Sequence, residues 1–116
     1  MTDGFPDSIE TYPMFVDGDR VEASSGEWID VDFPYNTETW ARVPRGTAAD
    51  VDDAVASARR CFESDEWQSM DGTDRGELLH AFADELQGHG DELARQGVLG
   101  NGKIRAELEG RVGIVS

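Results

Sequence analysis

The chain has one cysteine, Cys61, among 116 residues, so no disulfide can form within it. It is poor in positive charge, with ten Lys and Arg against twenty-five Asp and Glu and a net charge of -15. That balance excludes nucleic acid as a partner, because binding phosphates needs clustered cations. It argues equally against an anionic membrane surface. No apolar run approaches the roughly 18 residues that a bilayer span needs. MTDGFPDSIE, at the start, lacks the basic residues and apolar core of a signal peptide. A soluble, cytoplasmic protein is expected. Hydrophobic residues make up 38%, enough for one domain with a lean core. The carboxylates are scattered along the chain, as on a solvating surface. Such a surface suits work in high salt, where repulsion is screened, and a halophilic source is expected.

Residues 1–13 are polar, carry Pro6, and are expected to form a flexible arm. Two short apolar runs then flank Asp17-Gly18, a pair favoured in tight type I′ turns, and predict a hairpin of Met14–Val16 with Asp19–Val21. Trp28–Val31 reads as a third strand, stopped by Pro34. Thr39–Val43 alternates and reads as a fourth, stopped by Pro44. The period then changes. Val51, Ala54, Val55, Ala58 and Phe62 fall on one helical face, and Thr47 with Asp50 makes a capping-box pair, which predicts a helix over 48–63. Trp67 and Met70 lie in the connection. A second helix over 74–87 is predicted after Thr73, with Leu78, Leu79, Phe82 and Leu86 as its apolar face. A third, over 91–96, is weakened by Gly97 and Gly100, each costing about 1 kcal/mol relative to Ala. The fold class is α+β: a short β-meander followed by two or three amphipathic helices. No central sheet is evident for those helices to cover.

Several residues invite a chemical reading. Gly97 to Lys103 spells G-x-x-x-x-G-K, the frame of a phosphate-binding loop. Ile104 stands where the magnesium-binding hydroxyl belongs, and the preceding Asp91–Gln96 reads as helix rather than strand, so the frame is set aside. Cys61 is followed by Glu63, Asp65 and Glu66, whose charge disfavours a thiolate; packing is the better reading. His80 and His89 are nine apart without a ligand-spaced companion, which disfavours a metal. Asp50, Asp52 and Asp53 read as a solvated helix face. The three tryptophans sit beside apolar residues and read as packing groups rather than a ligand platform.

The order of these motifs resembles the opening of the aldehyde dehydrogenase superfamily over residues 14–109. MFVDGDRVEASSGEWIDVDFPYNTETWARV is similar to the family's hairpin, its Asn-Pro-x-x-Gly-Glu turn and the strand ending Val-Pro. ADVDDAVASARRCF is similar to the helix that follows. EWQSMDGTDRGELLHAFADELQGHGDELA matches the next helical segment, and GNGK falls at the family's Asp-Asn/Thr-Gly-Lys turn. Asn101-Gly102-Lys103 is then a turn between two helices, and Gly97 a local substitution in which glycine can take the positive φ of a helix end.

The resemblance implies a family reaction in which a cysteine thiolate attacks an aldehyde, hydride passes to NAD or NADP, and the thioester is hydrolysed to a carboxylic acid. The nucleophile, general base, oxyanion asparagine and dinucleotide-binding segment of that family all lie beyond the matching stretch. Cys61 stands where the family has a small alanine. The expectation is an inactive N-terminal portion with no catalytic, cofactor-binding or metal residue of its own. Some family members hold a sodium or potassium ion at an aspartate that is Gly100 here. Phe33 replaces the Asn of Asn-Pro, Thr37 the Gly of Gly-Glu, and Gln96-Gly97 the usual Glu-Thr. Residues 110–116 read as a divergent tail such as a premature stop or frameshift leaves. Expected partners are the missing remainder of the enzyme or a second copy meeting the exposed helix faces.

Overall fold

The computed structural model describes residues 5–114 and is α+β. Its strands are β1 (Glu10–Thr11), β2 (Met14–Val16), β3 (Asp19–Val21), β4 (Trp28–Asp32) and β5 (Thr39–Pro44). Its helices are α1 (Ala48–Glu63), α2 (Asp65–Ser69), α3 (Gly72–Gly88), α4 (Gly90–Asn101) and α5 (Arg105–Ile114). The chain divides into two compact units.

Ser8–Val31 and Thr39–Met70 make the strand-rich unit. Its hairpin pairs Met14 with Val21 and Val16 with Asp19 across a turn in which Asp17 and Gly18 both take positive φ, 56° and 83°. Positive φ at both turn residues is the type I′ signature, whose twist matches that of the strands. The second sheet has the order β1-β5-β4. β1 is a correction to the expected loose arm: Glu10 lies opposite Ala41 and Thr11 opposite Arg42, in parallel. A two-residue strand whose partner is thirty-one positions away leaves no local period to read. Tyr12 extends the pairing by donating its N–H to the Arg42 carbonyl at 3.0 Å, and its ring meets Trp40 edge-on. Trp40, Ala41 and Ala23 are the buried apolar residues of this unit.

α1 starts as the capping box predicts. The Thr47 hydroxyl accepts from the Asp50 N–H, and the Asp50 carboxylate accepts from the Thr47 N–H at 2.7 Å. The helix meets the hairpin turn through polar groups, with the Ser57 hydroxyl at 2.8 Å and Arg60 at 3.0 Å from the Asp17 carboxylate. α2 lies where a plain connection was expected. Ser64 ends α1 and caps α2, its hydroxyl accepting from the Trp67 N–H, and this makes Trp67 helical.

The other unit comprises the described parts of Met1–Asp7, Asp32–Glu38 and Asp71–Ser116. α3 begins two residues earlier than expected because its cap is Asp71, not Thr73. The Asp71 carboxylate accepts from the N–H groups of Thr73 and Asp74, and Asp74 returns the bond to the Asp71 N–H. α4 runs five residues past the expected 91–96. Gly97 is interior to it, and a Cβ built there would stand 2.8 Å from Leu108 Cδ1. The glycine lets α5 approach α4, and that tertiary contact outweighs its poor helix propensity. Arg105–Ile114 is helical, so the part of the expected divergent tail from residue 110 to 114 lies in α5; Arg105 pairs with Glu109 one turn on, at 2.7 Å. Residues 115 and 116 of that tail lie outside the described residues. Ala94, Leu99 and Phe33 are the buried apolar residues of this unit.

The loop at Phe33–Glu38 closes with the Thr37 N–H on the Phe33 carbonyl at 2.8 Å and the Phe33 N–H on the Glu38 carbonyl at 2.9 Å. The closure puts Thr37 at φ +59°, the left-handed region that a β-branched residue tolerates poorly. This is the position at which the resemblance expects glycine. Thr37→Gly should therefore raise the stability of the chain by about 1 kcal/mol, read as a later urea midpoint. Gly76 is also inside a helix, α3, but a Cβ there meets nothing within 4 Å. Gly76→Ala should stabilise by up to about 1 kcal/mol, whereas Gly97→Ala should not, because Leu108 must move. Equal gains from the two substitutions, in urea unfolding followed by circular dichroism, would show that the α4–α5 contact is loose.

Candidate functional site

The phosphate-loop frame does not survive in three dimensions. Gly97 to Asn101 are helical, so their N–H groups bond within α4 instead of pointing at a ligand. Gly102 is the C-cap, in the left-handed conformation at φ +71°, with its N–H on the Val98 carbonyl at 2.9 Å. The Asn101 side-chain oxygen accepts from the Lys103 N–H at 3.0 Å, which turns the chain toward α5. The positive φ assigned to Gly97 thus belongs to Gly102, and Asn101-Gly102-Lys103 is a turn between two helices. A Cβ at Gly102 would come within 3.4 Å of the Pro34 ring, so this turn packs against the Phe33–Glu38 loop.

Cys61 is exposed on α1. His80 is exposed on α3, and His89, between α3 and α4, pairs with Glu85 at 3.1 Å. No group of three His, Cys, Asp or Glu side chains able to hold a metal gathers among the described residues. Asp52 and Asp53 are exposed, but Asp50 is not merely a solvated carboxylate. It takes the Thr47 N–H and the Ser24 N–H, the latter at 3.0 Å, and so ties the start of α1 to the turn after β3. These bonds, the Thr47 one first, hold its pKa below the ordinary value of 3.8. Trp40 is buried and Trp28 and Trp67 are half-buried, as packing groups are. The sequence reading treated Asp17 only as a turn residue and missed its role as acceptor for Ser57 and Arg60. A serine and an arginine three apart on the predicted helix were the available signal.

The groups that do stand ready are apolar. On α1, Val51, Val55 and Phe62 are more than half exposed; on α3, so are Leu78, Leu79 and Phe82, with Leu79 at 68%. Each set recurs at helical spacing on one face, and Leu86 extends the second as a half-buried member. Covering one such Leu, Val or Phe is worth roughly 1.5–3 kcal/mol. Exposed one-sided apolar faces of this kind are uncommon on monomeric proteins. The glycine-containing stretch 97–102 is used for a helix and its cap.

The chain matches the family model described as "Aldehyde dehydrogenase family" over residues 21–115. It is 40% identical over 93 residues to phenylacetaldehyde dehydrogenase of Pseudomonas fluorescens, covering 80% of this chain and 18% of that one. It is 35% identical over 105 residues to mouse mitochondrial methylmalonate-semialdehyde/malonate-semialdehyde dehydrogenase [acylating], covering 90% of this chain and 19% of that one. Among solved structures it superposes on an NAD-dependent aldehyde dehydrogenase from Sinorhizobium meliloti with a TM-score of 0.85 at 36% identity, covering 91% of this chain and 21% of that one. Betaine aldehyde dehydrogenase of Staphylococcus aureus in complex with NAD+ superposes with a TM-score of 0.82 at 35% identity, over 87% and 20% of the two chains. The chain spans about one fifth of the length of these curated relatives.

The cap of α1 has a pH signature. A carboxylate whose folded pKa is depressed contributes stability that is fully present above its unfolded value and is lost as pH falls through the folded one. For Asp50 the loss begins near 3.8 and continues downward. Asp50→Ala should therefore lower the stability of the chain at pH 7, read as an earlier urea midpoint. The gap from the unsubstituted chain should close as pH drops below 3.8, measured by urea unfolding at each pH. A gap that stays constant down to pH 2 would mean the carboxylate charge has no part in the cap.

Proposed function

Because this chain belongs to the aldehyde dehydrogenase family, we propose that it supplies the N-terminal part of the cofactor-binding domain of an NAD(P)-dependent enzyme oxidising an aldehyde to a carboxylic acid, and that it is inactive by itself. The observation that carries this reading is the pair of exposed apolar faces on α1 and α3, in a chain that corresponds to one fifth of its relatives. Later parts of the longer polypeptide cover those faces and bring the nucleophile, the general base and the dinucleotide site. The relative solved with NAD+ supports that cofactor for the whole enzyme; the choice between NAD and NADP lies outside this stretch. The contribution proposed for the matched stretch is positional.

Two measurements test the proposal. The 116-residue chain, mixed with an aldehyde and NAD+ or NADP+, should form no reduced cofactor above a blank. In sedimentation it should self-associate and bind a hydrophobic dye, and replacing Val55 and Leu79 by Lys should suppress both, since the exposed faces are then charged. A monomer that binds no dye, with every helix amide protected from hydrogen exchange, would instead indicate an independent α+β binding domain.

A further inference from the structure

The helical unit contains a concavity of about 550 Å³ between the Phe33–Tyr35 loop and the α4–α5 turn. That volume is in the range of small-molecule sites. Its walls are apolar, with Phe33 and Leu99 buried and Ile104 at the open side. Its charge is opposite to that of the chain as a whole. Among the described residues three cations line it (Arg95, Lys103 and Arg105) and no acidic residue does. Arg95 is balanced by Glu92 at 3.0 Å and Arg105 by Glu109 at 2.7 Å. Lys103 is the only lysine of the sequence and has no ion pair among the described residues. The cavity therefore offers an apolar body and one uncompensated positive charge.

We propose that this cavity binds a small apolar monocarboxylate, with its tail against Phe33, Leu99 and Ile104 and its carboxylate on Lys103. One free cation matches one negative charge, so a phosphate or dicarboxylate would bring charge that nothing in the cavity balances. An amine of the same length would be repelled. The inference is independent of the proposed role in the longer enzyme, since it needs only the helical unit.

A single lysine makes the test direct. Reductive methylation with isotope-labelled formaldehyde keeps its charge and places one side-chain reporter at Lys103. Octanoate titrated into the 116-residue chain should move that signal saturably, together with the backbone amides of residues 33–35 and 98–105. Octylammonium should move neither. Lys103→Gln should weaken octanoate binding about tenfold, read on the same amides, while Lys103→Arg should retain it. The proposal is overturned if octanoate shows no saturation at millimolar concentration, or if octanoate and octylammonium bind alike. It is also overturned if Lys103→Gln binds as tightly as the unsubstituted chain.

Discussion

An amphipathic helix is held in water chiefly by whatever covers its apolar face, and this constraint governs the molecule. α1 and α3 are well begun, each by a reciprocal capping box, and their apolar residues then face solvent. Caps contribute about 1 kcal/mol apiece, whereas three uncovered large side chains forgo several times that. The local signals for helix are strong, and the driving force for packing is left unspent. A chain that matches one fifth of a larger enzyme is expected to show this imbalance.

The interior that does exist is small and built from close approaches. Gly97 lets Leu108 lie against α4, and Gly102 turns the chain beside Pro34. Thr37 is the contrary case, a β-branched residue in a left-handed conformation. Its loop is closed by the Phe33 and Glu38 backbone and by Asn36, whose side-chain oxygen accepts the Glu38 N–H at 3.0 Å. The loop keeps its shape against the residue, and the strain is the cost of departing from the family's glycine.

Charge is organised more finely than the net value suggests. Most carboxylates are solvated, but Asp50 ties α1 to the turn after β3, and Asp17 fixes the hairpin turn to α1 through Ser57 and Arg60. Several of the few cations are used in pairs, Arg42 with Asp30 and Arg105 with Glu109 among them. Surface pairs of this kind are individually worth little, so they orient elements more than they stabilise them.

Sequence alone was enough for whatever depends on neighbours within a few positions. The hairpin at Asp17-Gly18, the span of α1 and its Thr47–Asp50 cap were legible because period and capping are short-range. The family was legible too, from ordered motifs at matching spacing. Features whose cause lies far along the chain were not legible. β1 exists because Ala41 and Arg42 lie beside it; α4 continues through Gly97 because Leu108 fills the space. Asp71 rather than Thr73 caps α3, a choice between two competent residues made by the backbone around them. The cavity at Lys103 depends on a loop seventy residues earlier. Only the tertiary structure decides such features, because pairing, close packing and enclosure are properties of residues distant in sequence that meet in space.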